Sequence, residues 1–258
     1  MRSLKLTLAY EGTRFVGWQR QAEGASIQGL LEAILSDIDG EPVSVAGAGR
    51  TDAGVHALGQ VASCALTSQL DADTLRRALN ARLPADVRVL AVDEVPEAFH
   101  ARFSATGKRY RYLLANGPLV SPFAAPFAWL VHGHLDVAAM HQAAAQLVGT
   151  HDFSAFQSTG TDVPHAVRTV TLAHVGDVTN APPTPLPPEA VPGGRLLAFE
   201  VAADGFVRHM VRALAGTLVE VGLGRRDPDL GPLLASVNRA LAGPTAPAHG
   251  LWLVEVNY

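Results

Sequence analysis

Leu4, Leu6, Leu8 and Tyr10 fall on one face of a seven-residue stretch, with Lys5 and Thr7 opposite. That alternation predicts a half-buried strand over residues 4–10. Ile27, Leu30, Leu31, Ile34, Leu35 and Ile38 then make one helical stripe, with Ser26 placed as N-cap and Gly40 and Pro42 as the stop. Strands are expected over 43–46, 58–66 and 87–95. A short helix over 73–83 carries Leu75, Leu79 and Leu83 on one face, with Asp73 as its cap. The second half repeats this grammar. Strands are expected over 110–115, 127–131, 167–175, 196–202 and 251–256. Asp136 caps a helix that stops at Gly149, a helix runs from Gly205 to Val221, and a last one covers about 230–241. Strands and helices mix in both halves, which implies an α+β protein of two lobes, 1–105 and 106–258. Residues 181–194 hold six prolines and two glycines and read as a loop or solvent-exposed insertion joining two strands.

The 258 residues are 48% hydrophobic, enough for a sizeable core, and no apolar run is long enough to span a membrane. The N-terminus lacks the apolar segment of a signal peptide. One cysteine, Cys64 in an apolar stretch, excludes an internal disulfide framework and points to a reducing, cytoplasmic setting. A net charge of −4 argues against a wholesale nucleic-acid coat but not against a local basic surface. The charge is uneven. Residues 1–112 hold 13 Lys/Arg and 13 Asp/Glu, and the stretch 100–112 holds Arg102, Lys108, Arg109 and Arg111 with no acid.

The densest unusual segment is Gly47-Ala48-Gly49-Arg50-Thr51-Asp52-Ala53-Gly54-Val55-His56-Ala57. Three glycines within eight residues allow tight backbone and close approach by another molecule. One Arg and one Asp stand in this small-residue loop, and a nearby guanidinium keeps a carboxylate ionised for nucleophilic or base chemistry. The glycine spacing fits no nucleotide-phosphate loop, and from spacing alone an Asp capping a turn is the favoured reading. His132 and His134 lack the partners of a metal site, and the sequence has no Gly-x-Ser-x-Gly nucleophile elbow. Tyr110 and Tyr112 alternate with Arg109 and Arg111, which suits base stacking with phosphate contact, or simply a strand with aromatics inward and charges outward. Phe206 and Met210 have core spacing on the helix from Gly205, with Arg208 and Arg212 on the same helix. A non-catalytic RNA-binding module and a small-molecule lyase or hydrolase using Asp52 as base stand as alternatives.

The loop 49–57 resembles the active-site motif of the tRNA pseudouridine synthase A family. Four further stretches resemble it in order: Leu8 to Gln21, Phe99 to Thr106 continuing to Arg109-Tyr110-Arg111-Tyr112, Gly149 to Phe156, and Gly205-Phe206 continuing to His209-Met210-Val211-Arg212. The proline-rich 181–194 segment matches nothing in the family.

The resemblance implies a pseudouridine synthase fold. That fold is a mixed, largely antiparallel sheet flanked by helices, in two related lobes with a central cleft. It implies isomerisation of uridine to pseudouridine in the anticodon stem-loop of tRNA, at tRNA positions 38, 39 and 40, by a homodimer. No metal or other cofactor is formally required, because atoms are rearranged and none is lost. Asp52 becomes the catalytic carboxylate, attacking C1′, attacking C6 of the ring, or taking a sugar proton. Tyr110 stacks on the uracil and helps move the C5 proton. Arg212 pairs with the carboxylate, Arg50 contacts RNA or the flipped nucleotide, and Phe206 and Met210 wall the pocket. Arg102, Lys108, Arg109 and Arg111 are expected on the RNA backbone.

Overall fold

The computed structural model describes residues 1–158, 165–179 and 186–258. The chain divides into two compact units, Met1–Lys108 with Trp252–Tyr258, and Arg109–Leu251. In the first unit, β1 (Arg2–Tyr10) pairs antiparallel with β3 (His56–Leu66) on one side and with β4 (Val87–Val95) on the other. The two-residue β2 (Ala46–Gly47) adds to β3. The C-terminal β10 (Leu251–Asn257) returns to pair parallel with β3 at Trp252↔His56. The alternation of β1 is realised as expected: Leu4, Leu6, Leu8 and Tyr10 are buried.

Helix α1 (Ile27–Asp39) begins and ends where local chemistry dictates. Ser26 Oγ accepts from the Gly29 N–H, and Gly40 takes the left-handed conformation at φ 77° with its N–H on Ser36 O. Ile27, Leu31, Ile34 and Leu35 of its apolar stripe are buried, and so is Glu32, while Leu30 and Ile38 are half-buried. Helix α2 (Ala72–Arg82) packs on β4, and its cap is Asp71, which accepts from Thr74 N. Asp73, the expected cap, lies in the first turn and pairs with Arg76 and Arg77. The expected strand over 43–46 reduces to β2. Val45 N–H goes to the Glu32 carboxylate at 3.1 Å, so this backbone is committed to α1 rather than to a ladder.

In the second unit, β5 (Gly107–Asn116), β9 (Arg195–Ala203), β8 (Val167–Asp177) and β7 (Gly149–Asp152) lie side by side in that order, and β6 (Trp129–Val131) adds parallel to β5. The β7–β8 and β8–β9 pairs are antiparallel. Helix α3 (Val137–Ala145), capped by Asp136, packs on β8 and on α4 (Met210–Gly222). Eleven of the thirteen residues of α4 are buried, and the two that are not, Arg212 and Glu220, are its charged ones. A short α5 (Gly231–Ser236) and a 3₁₀ turn over Arg239–Leu241 replace the single helix expected over 230–241, because Val237 turns left-handed at φ 48°.

Three other expectations need correction here. Gly149 does not stop α3, which ends at Ala145 with Gln146 as its C-cap; at φ 119°, Gly149 opens β7. The helix expected from Gly205 starts only at Met210, because His209 is left-handed at φ 62° and residues 205–209 form a loop. Of the proline-rich segment, 181–185 lie outside the described residues. Its remainder joins β8 and β9 but is not solvent-exposed throughout. Leu186, Ala190 and Val191 are buried, and Ala190 O accepts from Ser121 N at 2.8 Å. No helix among the described residues is long and apolar enough to cross a membrane.

Candidate active site

The Asp52 loop connects β2 to β3 and is gripped by the chain that leaves β1. Asp52 forms an isolated antiparallel bridge with Gly17, and Trp18 N–H donates to Thr51 O at 3.0 Å. Gly17 sits at φ 107°, and a Cβ there would lie 2.5 Å from Thr51 O. A Cβ on Gly12 would lie 2.0 Å from Val55 O. Only glycine permits both approaches. The loop closes on itself through Val55 N–H to Asp52 O at 3.1 Å, with Gly54 at φ 78°. The Asp52 side chain is half-buried at this turn.

Beneath the loop lies a buried polar cluster. Tyr10 Oη is 2.8 Å from Thr51 Oγ1, and Gln60 donates through Nε2 to Gly49 O at 2.8 Å and to Tyr10 Oη at 3.3 Å. Burial pushes the Tyr10 hydroxyl up to about 12, against the lowering effect of its bonds to Thr51 and Gln60, so it stays protonated. Gly12 N–H donates to His56 Nδ1 at 3.0 Å, which leaves the imidazole proton on Nε2, and the buried ring packs on Trp252 at 4.5 Å. Every group in the cluster is satisfied, which fixes the loop rather than merely filling space.

Arg50 is exposed, and its Nε donates to Gln19 Oε1 at 3.1 Å. Gln19 Nε2 in turn donates to Gln28 Oε1 at 2.8 Å. Gln28 donates to Val45 O and to Glu32, and Glu32 also receives Arg20 Nη1 at 3.0 Å. A relay of side chains thus runs from buried Glu32 on α1 out to Arg50.

In the second unit, Tyr110 is buried on β5, with the Phe206 ring edge-on at 4.9 Å. Phe206 belongs to the loop before α4 and not to the helix. His209 Nδ1 lies 2.9 Å from Ser158 Oγ, and Ser158 N–H donates to Arg208 O at 3.2 Å, which holds the left-handed residue in place. Met210 is buried at the start of α4. Arg212 Nε donates to Ala246 O at 2.8 Å, and Ala246 N–H returns to Arg212 O at 3.0 Å. Tyr112 Oη donates to Pro247 O at 2.7 Å in the same segment, and burial raises its pKa. His249 beside it is held below its ordinary value, first by burial and then by the Arg212 guanidinium, against the raising effect of its bond to Ala128.

A family model covers the Asp52 loop and the segment around Phe206, His209, Met210 and Arg212, but not Tyr110 or Tyr112. The model described as tRNA pseudouridine synthase matches residues 7–104 and 143–258. The chain belongs to that family. It is similar, at 46% identity over the full length of both chains, to a tRNA pseudouridine synthase A of Nitratidesulfovibrio vulgaris. It is 48% identical to the Myxococcus xanthus protein of the same name, with all of this chain and 92% of that one covered. It is 42% identical to that of Acetivibrio thermocellus, with both covered in full. As a member of the family it is an isomerase with a mixed, largely antiparallel α+β fold.

Within this family member the basic stretch is less uniform than its composition suggests. Arg111 is turned onto Glu200 of β9, with Nη2 and Nε at 2.6 and 2.9 Å from Oε1, and Arg109 Nη1 lies 3.9 Å from the same carboxylate. Glu200 therefore offsets charge that was expected to face RNA phosphates. Lys108 is half-buried at the start of β5, and Arg102 is exposed with its guanidinium over the Phe103 ring. His132 and His134 are exposed on a cavity of about 590 Å³ lined also by Asn116, Gly117, Gly193 and Arg195. Among the described residues no three His, Cys, Asp or Glu side chains gather as a metal site. Asp52, Arg50, Arg102 and Lys108 belong to the first unit, and Tyr110, Phe206, Met210, Arg212, Arg109 and Arg111 to the second.

Sequence reasoning missed Gly12, Gly17, Gln19, Gln28, Gln60 and Glu200. The only signal for the first three was their place in the stretch Leu8 to Gln21. Glu200 gave none, because it lies 89 residues from the Arg it binds.

Proposed function

We propose that the chain converts uridine to pseudouridine in the anticodon stem-loop of tRNA, at tRNA positions 38, 39 and 40, with Asp52 as the catalytic carboxylate. The observation that carries the reading is the grip on the Asp52 loop. Two glycines that admit no side chain, a backbone bridge and a satisfied buried cluster fix one half-buried carboxylate in place. A carboxylate that merely capped a turn needs no such support, and a pure RNA binder has little use for one beside phosphate.

The reaction breaks the bond between ribose C1′ and uracil N1, turns the base and joins C1′ to C5. The C5 proton leaves and N1 gains one. The target base leaves its stack first, at a cost of a few kcal/mol that protein contacts offset. Asp52 acts as nucleophile at C1′ or C6, or as base on the sugar. Tyr110, braced edge-on by Phe206, offers its ring to the uracil and its hydroxyl to the C5 proton. Arg50, aimed by Gln19, contacts the RNA, Met210 walls the pocket, and Arg212 keeps the role that the resemblance implies. Arg102 and Lys108 make the phosphate contacts. The protein acts as a cytoplasmic homodimer. The relatives' names support the reaction and the tRNA substrate, and a buried, unpaired Cys64 suits a reducing cytoplasm.

Unmodified tRNA transcript incubated with wild-type or Asp52→Ala protein tests the proposal. Pseudouridine is mapped by carbodiimide labelling and primer extension. Stops in the anticodon arm with wild type alone are expected. Stops with Asp52→Ala would remove Asp52 from the chemistry. No stops with either protein, on transcripts that the wild type binds, would make the chain an RNA-binding module.

A further inference from the structure

The turn Phe99–Ser104 holds an aromatic ring out into solvent on a rigid mount. Ala101 is fully buried against Ala48 and Val61, its N–H donates to Ser63 Oγ at 3.1 Å, and its carbonyl accepts from Tyr258 Oη at 2.8 Å. Ser104 closes the turn, donating to His100 O at 2.9 Å while its Oγ accepts from His100 N at 3.0 Å. His100 Nδ1 accepts from both Arg102 N and Phe103 N, at 3.1 and 3.4 Å, so its ring is locked. The locked imidazole lies 4.4 Å from the Phe103 ring, and the Arg102 guanidinium carbon lies 5.6 Å from the same ring. Phe103 is nonetheless 77% exposed.

An exposed phenylalanine alone needs no explanation. One held by an immobilised histidine, under a cation, on a buried and hydrogen-bonded turn is a prepared surface. We propose that His100, Arg102 and Phe103 form a stacking platform for an unpaired nucleotide of the RNA substrate, outside the target uridine's pocket. The inference rests on the proposed function. An unpaired base presents a π-face to Phe103, and its phosphate presents an anion to Arg102, so one nucleotide satisfies both groups. No acid stands between residues 98 and 116, which favours an anionic partner. A protein partner fits less well. A stable interface needs about 800 Å² on each side, whereas the ring's neighbours in the turn, His100, Arg102 and Ser104, are polar.

Binding of the full-length protein is measured on two probes, an unmodified tRNA transcript and a blunt RNA duplex without unpaired nucleotides. Phe103→Ala and Phe103→Leu, the second keeping an apolar side chain without a π-face, are expected to weaken tRNA binding about 5- to 150-fold, the equivalent of ~1–3 kcal/mol for one stacked base. Phe103→Trp is expected to bind tRNA within about twofold of wild type, and all three variants to bind the duplex as wild type does. Arg102→Ala is expected to weaken tRNA binding and flatten its salt dependence by about one counterion. Leucine or alanine variants that bind tRNA as wild type does overturn the proposal, as does equal loss on tRNA and duplex. A change of oligomeric state at equal protein concentration also overturns it, by placing the ring against a second copy. Wild type that isomerises tRNA while Phe103→Ala binds normally sinks this inference alone. Wild type that neither binds nor isomerises tRNA sinks the proposed function with it.

Discussion

Replacing Gly17 by alanine tests whether the backbone bridge to Asp52 matters for chemistry or only for folding. Two penalties arise at once. Alanine at φ 107° is in a region that L side chains avoid, worth ~1–3 kcal/mol of strain. The new Cβ also meets Thr51 O at 2.5 Å, Asp52 C at 3.0 Å and Ala53 N at 3.2 Å, all of them backbone atoms. Restoring ordinary contact at 3.4 Å moves the Asp52 loop by close to 1 Å. A displacement of that size at a reacting group costs about 10²-fold in rate, or ~2.7 kcal/mol of barrier. Gly40 provides the control. It also has positive φ, 77°, but an added Cβ there meets nothing within 4 Å. Gly40→Ala therefore carries a comparable strain penalty without moving the loop. Urea unfolding should show Gly40→Ala destabilised by ~1–3 kcal/mol and Gly17→Ala by at least that much. Single-turnover pseudouridine formation at saturating enzyme should fall about a hundredfold for Gly17→Ala only. A Gly17→Ala protein with the wild-type rate refutes the positioning argument. Equal losses in both variants would trace the effect to general destabilisation instead.

Glu200→Gln removes the carboxylate shared by Arg111 and Arg109. Arg111 and Glu200 side chains are 12% and 20% exposed, so the loss should fall somewhat below the ~3–5 kcal/mol of a fully buried pair. It should show as a lower urea midpoint together with a steeper salt dependence of RNA binding, since two cations are released toward phosphate. An unchanged midpoint and slope would mean that the pair is neutral. His249 should make stability pH-dependent. Burial and Arg212 hold its folded pKa below 6.5, so the unfolded chain takes the proton more readily. Its contribution is full above pH 6.5 and declines as pH falls below it, which His249→Gln should flatten in melting curves taken from pH 7.5 to 5. A variant with the same acid slope as wild type would assign that slope to other groups.

Where a boundary is fixed by a neighbour within one turn, the sequence was enough. Ser26 and Gly40 bound α1 through bonds to Gly29 and Ser36, three and four residues away. The Asp52 loop stood out as a candidate because an Arg and an Asp among glycines is unusual composition, though spacing alone favours a structural turn. Features set by distant partners were not legible. His209 breaks the helical pattern by adopting φ 62°, in a loop held by Ser158 some fifty residues earlier, and no periodicity reports that. Arg111 reads as an RNA-facing cation until β9 delivers Glu200 to it. Phe103 lies in a stretch whose composition is simply basic, and its exposure depends on Ala101 being anchored to Ser63 and Tyr258.

The stretch from Tyr10 to Gln19 shows why a segment with no reacting group can still carry an active-site signature. Tyr10 reaches the loop through its hydroxyl to Thr51. Gly12 lets Val55 approach and ties His56 through its N–H. Gly17 bridges Asp52, Trp18 holds Thr51 O, and Gln19 holds Arg50. These five residues touch the Asp52 loop directly, and each does so with a different kind of contact. A hydroxyl, a missing Cβ, a left-handed backbone and a primary amide are not interchangeable, which restricts the residue type at Tyr10, Gly12, Gly17 and Gln19, whereas the Trp18 peptide N–H is available from any residue but proline. The carboxylate alone is compatible with any turn; the residues that grip it are what the proposed role of Asp52 rests on.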